Sequence, residues 1–167
     1  DLSEPYKTKG KLGHRAWFSP EEYKALYEAT RARSEKPKKK RFQWESHQLY
    51  DYVLFMANTG LRPDEAKNLE FRDVTIIDDE DTEETILLIE VRGKRGVGYC
   101  KSTEGAVFPF TRLKERERMG LSDPSNPESA KKLMKPRPND KVFPNFSREM
   151  FNAILDELNF KKDRQGN

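Results

Sequence analysis

The chain has 167 residues, enough for one domain with a hydrophobic core, and we interpret residues 1–167 as a single partial domain. Hydrophobic residues make up 34% of the chain and charged residues 37%, so some segments are expected to be solvated, and no apolar run is long enough for a transmembrane helix. A net charge of +3, with a pI of about 8.9, indicates a nucleic-acid partner only weakly.

The cysteine and histidine content limits the chemistry of the chain. Cys100 is alone and cannot form an internal disulfide, while His14 and His47 do not have a metal-ligand spacing. We therefore predict no metal site and expect the reducing cytoplasm as the location. No cofactor is predicted, and the lack of a long apolar run predicts no membrane partner.

The first predicted helix begins in "FSPEEYKAL". Ser19 is a typical N-cap residue, and Glu22 completes a capping box with it. A basic run at residues 36–41 follows, which on its own is most simply a solvated loop. The second helix is predicted over about residues 44–58, with Gly60 suited to its C-terminal cap.

A third, short helix is predicted over residues 63–69, because Pro63, Asp64 and Glu65 suit a helix N-terminus. The next apolar segments are "VTII", "TILLIEV" and "GAVFPF", which predict a small three-stranded antiparallel sheet. The turn "RGKRGVG" is expected to join two of its strands. The predicted fold class is α+β and mainly α.

The remainder of the chain alternates between helix and loop. "TRLKERERMG" predicts a charged helix, and residues 120–140 predict a long surface loop rich in Pro, Ser and Asn. Residues 1–16 are interpreted as an N-terminal lead. "FSREMFNAILDELNF" predicts a last helix that directs four residues toward the core, namely Phe151, Ile154, Leu155 and Leu158.

The segment "TGLRPDEAKNLEFRDV", residues 59–74, places one arginine between the second and third helices. Arg62 would stand at a rigid corner, where its planar guanidinium is suited to two oxygens of one phosphate. Glu65, one turn on, would hold that guanidinium in place. A simpler interpretation is that Arg62 and Glu65 only order the corner.

The same segment resembles the first arginine box of the tyrosine recombinases, the phage-integrase family. That box is Thr-Gly-(Leu/Met)-Arg, then Glu three residues later, then a leucine and Asp-(Val/Ile). The matching residues are Thr59, Gly60, Leu61, Arg62, Glu65, Leu69, Asp73 and Val74. "FSPEEYKAL" and "DKVFP" resemble segments on either side of the box, so the resemblance covers roughly residues 17–160.

The resemblance implies an integrase-like catalytic domain that cuts and rejoins double-stranded DNA through a 3′-phosphotyrosine, without metal or ATP. Arg62 would be one of two arginines on the scissile phosphate, with Glu65 as its structural neighbour. Lys94, in a Gly-Lys-x-Gly turn, would be the general acid, with Lys101 as the alternative. Contacts to the DNA backbone are predicted for Lys38, Lys39, Lys40, Arg41, Arg92, Arg95 and Lys101.

Two elements of the family pattern are absent from residues 1–167. Neither histidine is followed by an arginine three residues on, as the second box His-x-x-Arg requires, and no tyrosine lies after Tyr99. The acidic run at residues 78–84 is a further departure. We therefore expect a partial catalytic domain that binds DNA weakly and salt-dependently but forms no covalent adduct.

The parent protein is expected to carry out site-specific recombination or integration as a homotetramer on two DNA duplexes, whereas this chain alone is expected to be a monomer. Two alternatives stay open. One is a non-catalytic DNA-binding relative that keeps the scaffold without the chemistry. The other is a helical protein-interaction domain whose corner only resembles the arginine box.

Overall fold

Five α-helices and one three-stranded antiparallel sheet dominate the residues described by the computed structural model, which are 18–93, 96–119, 128 and 131–161. The helices are α1 (Pro20–Glu35), α2 (Gln43–Thr59), α3 (Pro63–Asn68), α4 (Val107–Glu115) and α5 (Arg148–Glu157). The sheet has the order β1 (Val74–Asp79), β2 (Glu84–Gly93) and β3 (Gly96–Lys101). The predicted mixture of helices with a small antiparallel sheet is confirmed.

The predicted start of α1 is confirmed. The Ser19 hydroxyl accepts the N–H of Glu22 at 3.2 Å, and the Glu22 carboxylate accepts the N–H of Ser19 at 2.8 Å. These two bonds satisfy N–H groups that the first turn of a helix leaves without intrahelical partners. Leu26, further along α1, is buried in a cluster with Leu49, Val53 and Ile154 of α2 and α5. The first helix is therefore joined to both α2 and α5.

The last helix also packs as predicted. Ile154 is buried in the same cluster, with Phe151, Leu155 and Leu158 packed partly buried around it. Ser147 caps the helix by accepting the N–H of Met150 at 3.3 Å.

None of the helices in the described part of the chain is both long enough and apolar enough to cross a membrane.

The main core lies between the end of α2, α4 and one face of the sheet. It includes Phe55 of α2, Leu87 and Ile89 of β2, and Phe110 of α4. Alternation along β2 directs Leu87, Ile89 and Val91 to this inner face, so that Glu90 and Arg92 lie on the outer face. In the described part of the chain, the main core therefore packs against one face of the sheet only.

The β2–β3 hairpin extends beyond the three-stranded part of the sheet. β1 pairs with residues 84–89 of β2, whereas β3 pairs with residues 88–93. Residues 90–93 and 96–99 therefore pair with each other and with no further strand in the described ranges; we call them the hairpin ribbon. Four residues per strand correspond to an extension of about 13 Å.

Two of the predicted elements are wrong in type. "GAVFPF" forms a 3₁₀ turn and the start of α4, because Ala106, Phe110 and Leu113 bury one face at helical spacing. The third strand is β3 instead. The charged helix ends at Glu115, and Arg118–Met119 form a short strand, β4. This strand pairs with β5, Leu133–Met134, which lies inside the segment 120–140 that was predicted as a loop.

Candidate active site

The arginine corner, residues 59–65, is held by backbone bonds and by one buried side chain. Gly60 ends α2 in the left-handed conformation, with φ of 67°, and its N–H donates to the Met56 carbonyl at 3.1 Å. Leu61 is buried in the main core. Arg62, the next residue, is exposed, and its carbonyl accepts the first bond of α3 from Ala66 at 3.0 Å. The backbone on both sides of Arg62 is therefore fixed.

A second contact holds the end of α2 from outside the corner. The backbone carbonyl of Asn58 accepts the N–H of Thr103 at 2.9 Å, and the Asn58 side-chain oxygen accepts the Thr103 hydroxyl at 2.6 Å. The connection between β3 and α4 is thereby joined to the last turn of α2. This contact limits how far the corner can move relative to the sheet.

Glu65 does not hold the guanidinium of Arg62. Its carboxylate accepts the backbone N–H of Arg62 at 2.9 Å and so caps the first turn of α3. Among the residues that the structure describes, the Arg62 guanidinium has neither a hydrogen bond nor an ion pair. The expected hold of one side chain on the other is therefore replaced by a backbone cap, and no carboxylate of the described residues compensates the charge of Arg62.

The carboxylate of Glu65 also lies against the hairpin ribbon. A Cβ placed on Gly93 would be 3.4 Å from Glu65 Oε1, so the strand backbone passes close to this side chain. Burial raises the pKa of the Cys100 thiol on β3, and the nearby charge of Glu65 raises it further. Glu65 therefore contacts both the corner and the hairpin, which places Arg62 and the end of β2 next to each other.

The structure describes only one of the two candidate general acids. Lys94 and Arg95 follow Gly93 in the sequence and lie outside the described residues. Lys101 donates to Asp79 at 2.5 Å and to Asp81 at 3.5 Å. The bond to Asp79 raises the pKa of Lys101, so its ammonium holds its proton more tightly than an isolated lysine would. The acidic run at residues 78–84, which extends from the end of β1 to the start of β2, thus neutralises the alternative lysine.

The residues predicted to contact the DNA backbone divide into paired and unpaired cations. Arg92 donates to Asp73 at 3.1 Å, and Lys38 donates to Glu157 at 3.0 Å. In contrast, Lys39, Lys40 and Arg41 are exposed and have no ion pair with any described carboxylate; we call these three residues the basic turn. Their charge is therefore available to an outside anion.

The basic turn and the arginine corner lie at opposite ends of α2. The helix has 17 residues, which corresponds to a length of about 25 Å. Arg41 also stacks on the half-exposed ring of Phe42, with its guanidinium carbon 4.7 Å from the ring centre. These two regions, neither of which has an ion pair to a described carboxylate, are thus held apart by a rigid helix rather than gathered into one patch.

A buried charge cluster was missed by sequence reasoning. Asp51 on α2 is fully buried and forms ion pairs with both Arg112, at 2.7 Å, and Arg116 of α4. Burial lowers the pKa of His47, one turn earlier, and the charge of Arg116 lowers it further. The only signal in the sequence was an aspartate within the apolar stripe of α2. The cluster joins α2 to α4 and lies within the fold rather than at the corner.

No family model matches the sequence, and no curated protein matches it significantly. The resemblance to the tyrosine recombinases therefore depends on the arginine box and its flanking segments in the sequence. Within the described ranges, no group of three or more His, Cys, Asp or Glu side chains is arranged to hold a metal ion.

Proposed function

We propose that this chain is part of the catalytic domain of a tyrosine recombinase, a protein that breaks and rejoins double-stranded DNA. One observation carries the proposal: Arg62, the arginine of the motif, is exposed at a backbone-fixed corner with no partner in the described part of the chain. An arginine that only ordered the corner would be expected to pair with Glu65. The carboxylate instead binds the backbone and leaves the guanidinium available to a phosphate.

In the proposed reaction a tyrosine oxygen attacks the scissile phosphate. A bond forms between that oxygen and phosphorus, the bond from phosphorus to the 5′ oxygen breaks, and the tyrosine proton leaves to solvent. Negative charge develops on the two non-bridging oxygens, and a fixed guanidinium binds both of them. Arg62 would supply one such donor. The second arginine and the tyrosine would come from outside residues 1–167.

The leaving 5′ oxygen requires a proton, and we assign Lys94 as its source. Two facts about neighbouring residues support this choice over Lys101. The ammonium of Lys101 is occupied by Asp79 and Asp81. Gly93, which precedes Lys94, lies against the carboxylate of Glu65 and therefore beside the corner that carries Arg62.

DNA binding would use the unpaired cations. The basic turn offers three charges to phosphates about 25 Å from Arg62, the length of α2. In B-DNA that distance corresponds to about seven base pairs along the axis. The inner face of the hairpin ribbon carries Gly93, Gly96 and Gly98, and a Cβ at Gly96 or Gly98 would meet no atom within 4 Å. The strand backbone is thus open to close approach by a sugar-phosphate chain.

The experiment that tests the proposal is a search for the covalent intermediate. A protein that contains residues 1–167 and a nucleophilic tyrosine outside them is incubated with end-labelled nicked DNA, and a denaturing gel separates covalent adducts. We expect an adduct that disappears when that tyrosine is changed to Phe and that forms far more slowly when Arg62 is changed to Ala. Residues 1–167 alone are expected to give no adduct, because the covalent step needs the nucleophile.

The outcomes separate the proposal from its alternatives. Salt-dependent DNA binding without any adduct would favour a non-catalytic DNA-binding relative. The absence of both would favour a protein-interaction domain. An adduct formed by residues 1–167 alone would mean that one of their tyrosines, or Cys100, is the nucleophile, and the recombinase proposal would have to be withdrawn.

The proposal also carries expectations for partners and location. Recombination joins strands from two duplexes, so the parent protein is expected to act as a homotetramer on double-stranded DNA. A single unpaired cysteine and a DNA substrate fit the reducing cytoplasm.

A further inference from the structure

Within the described structure, the hairpin ribbon has no strand pairing to the rest of the fold that would hold it in position. Its residues, 90–93 and 96–99, pair only with each other among the described strands. An isolated two-stranded hairpin is marginally stable, so the direction of the ribbon depends on side-chain contacts with the rest of the fold. Val91 supplies one contact, because it packs partly buried against the main core.

A buried carboxylate supplies a second contact at the outer face. Asp73 lies between α3 and β1, and its side chain is only 4% exposed. One of its oxygens accepts the backbone N–H of Glu70 at 2.9 Å, and the other accepts Arg92 Nη2 at 3.1 Å. Asp73 therefore joins the backbone that follows α3 to the last side chain of β2 before Gly93.

We infer that Asp73 and Arg92 are positioning residues that fix the hairpin ribbon relative to Arg62. Glu65 contacts the ribbon at Gly93 from the inner side, and Asp73 holds Arg92 from the outer side. The two contacts enclose the end of β2 between α3 and the turn that follows it. This role rests on the proposed function. It assigns Arg92 to the ion pair with Asp73, which we call the brace, rather than to a DNA phosphate.

The sheet contains a matched control for this brace. Asp79 pairs with Lys101 in the same way, with a nearly buried carboxylate facing a half-exposed cation: the exposed fractions are 7% and 49%, against 4% and 48% for Asp73 and Arg92. Lys101, however, lies where β2 is paired with strands on both sides. Asp73→Asn and Asp79→Asn thus remove equivalent charges, but only the first loosens the ribbon.

The position of the ribbon can be measured without DNA. Spin labels are attached at positions 64 on α3 and 97 on the ribbon, both exposed, in a background in which Cys100 is replaced by Ser. We expect Asp73→Asn and Arg92→Gln to broaden the distribution of label distances to a similar extent. The double variant should be no broader than either single variant, because both changes break the Asp73–Arg92 pair, and the other partner of Arg92, Glu90, lies in the ribbon itself. Asp79→Asn should leave the distribution unchanged.

The role in catalysis is measured with two DNA substrates, one natural and one with sulfur in place of the leaving 5′ oxygen. Sulfur leaves without a proton, so it removes the need for a correctly placed general acid. On the natural substrate, Asp73→Asn and Arg92→Gln should slow adduct formation about tenfold or more, a part of the roughly 10²- to 10⁴-fold that a positioned general acid contributes. On the sulfur substrate the loss should fall below about threefold. A protein that was merely destabilised would lose rate on both substrates.

Three outcomes would overturn the inference. Unchanged distance distributions in Asp73→Asn and Arg92→Gln would mean that the ion pair is not a brace. Broadened distance distributions, combined with cleavage rates equal to those of the unchanged protein, would mean that the brace does not serve the reaction. A loss confined to Arg92→Gln, with Asp73→Asn normal, would return Arg92 to a DNA contact. If neither substrate forms an adduct with any protein, the proposed function fails, while the distance measurement still tests the brace.

Discussion

The basic turn and the outer face of the hairpin carry the same kinds of side chain but differ in charge balance. Lys39, Lys40 and Arg41 have no ion pair with a described residue, whereas Arg92 is paired with Asp73 and Glu90. Lys101 is likewise paired with two carboxylates, Asp79 at the end of β1 and Asp81 in the turn that follows. A basic residue near a candidate site is therefore informative only when its partners are known, and four predictions follow that distinction.

The largest effect is expected at Arg62, the arginine of the corner that has no partner among the described residues. Arg62→Ala should slow adduct formation by about 10³-fold, the upper range for removal of one donor to a developing oxyanion. Arg62→Lys should also be poor, because an ammonium cannot bind two oxygens in one plane. The free energy of unfolding should change by less than about 0.5 kcal/mol, since the side chain is exposed and unpartnered in the described structure. Gel assays and urea denaturation measure the two quantities, and a loss of stability that matched the loss of rate would make Arg62 structural.

At Asp51, whose charge is paired with two arginines, we expect a loss of stability instead of a direct effect on the reaction. Asp51→Ala leaves Arg112 and Arg116 without their buried partner and should lower the free energy of unfolding by about 3 kcal/mol. We place the value at the low end for a broken buried pair because Arg112 reaches solvent. Urea denaturation checks it, and Asp51→Asn should recover part of the loss by keeping the shape and one acceptor. A change below about 1 kcal/mol would contradict the role of this cluster in joining α2 to α4.

A smaller effect is expected from the basic turn. Each phosphate contact contributes about 0.9 to the slope of log affinity against log salt, so replacing Lys39, Lys40 and Arg41 by Gln should reduce the slope by about 2.7. Three lysines paired with carboxylates serve as the control set, namely Lys131, Lys135 and Lys161. Their triple replacement by Gln should change the slope by less than about one unit. Equal changes in both triple variants would mean that the charge balance of a lysine does not predict its contact with DNA.

The smallest effect concerns pH and the compensated pair at Asp79. Its hydrogen bond with Lys101 holds the pKa of the Asp79 carboxyl below its ordinary value. A carboxyl whose pKa is lowered on folding stabilises the fold above its unfolded pKa and loses that contribution as the pH falls through the folded value. Urea midpoints at pH 7 and pH 3 should therefore differ less in Asp79→Asn than in the unchanged protein. An identical pH dependence would mean that the pair does not contribute to stability.

The sequence was sufficient for elements whose signals are local. The capping box of α1 and the glycine that ends α2 depend on residues within four positions of each other, and both are found as expected. The type of the "GAVFPF" segment was not predictable from its apolar content, since a short apolar run fits strand and helix alike. Strand β3 was missed because its glycines and its exposed Val97 and Tyr99 lack the alternation of a half-buried strand.

The candidate site was predictable in its position but not in its pairing. The break between α2 and α3 placed Arg62 correctly at an exposed corner. The partners of the other cations lie far away in sequence: Asp73 is 19 residues from Arg92, Asp79 is 22 residues from Lys101, and Glu157 is 119 residues from Lys38. Such pairs are set by tertiary packing, so a single sequence without the fold does not show which charges are neutralised.

The most direct test of the central claim is a chemical rescue of Arg62→Ala. If Arg62 neutralises charge on the scissile phosphate, a substrate whose non-bridging oxygen is replaced by a methyl group no longer needs that neutralisation. On natural DNA, Arg62→Ala should form the adduct about 10³-fold more slowly than the unchanged protein. On the methylphosphonate, we predict that this deficit is smaller by a factor of at least about ten. The same deficit on both substrates would contradict the assignment of Arg62 to the phosphate.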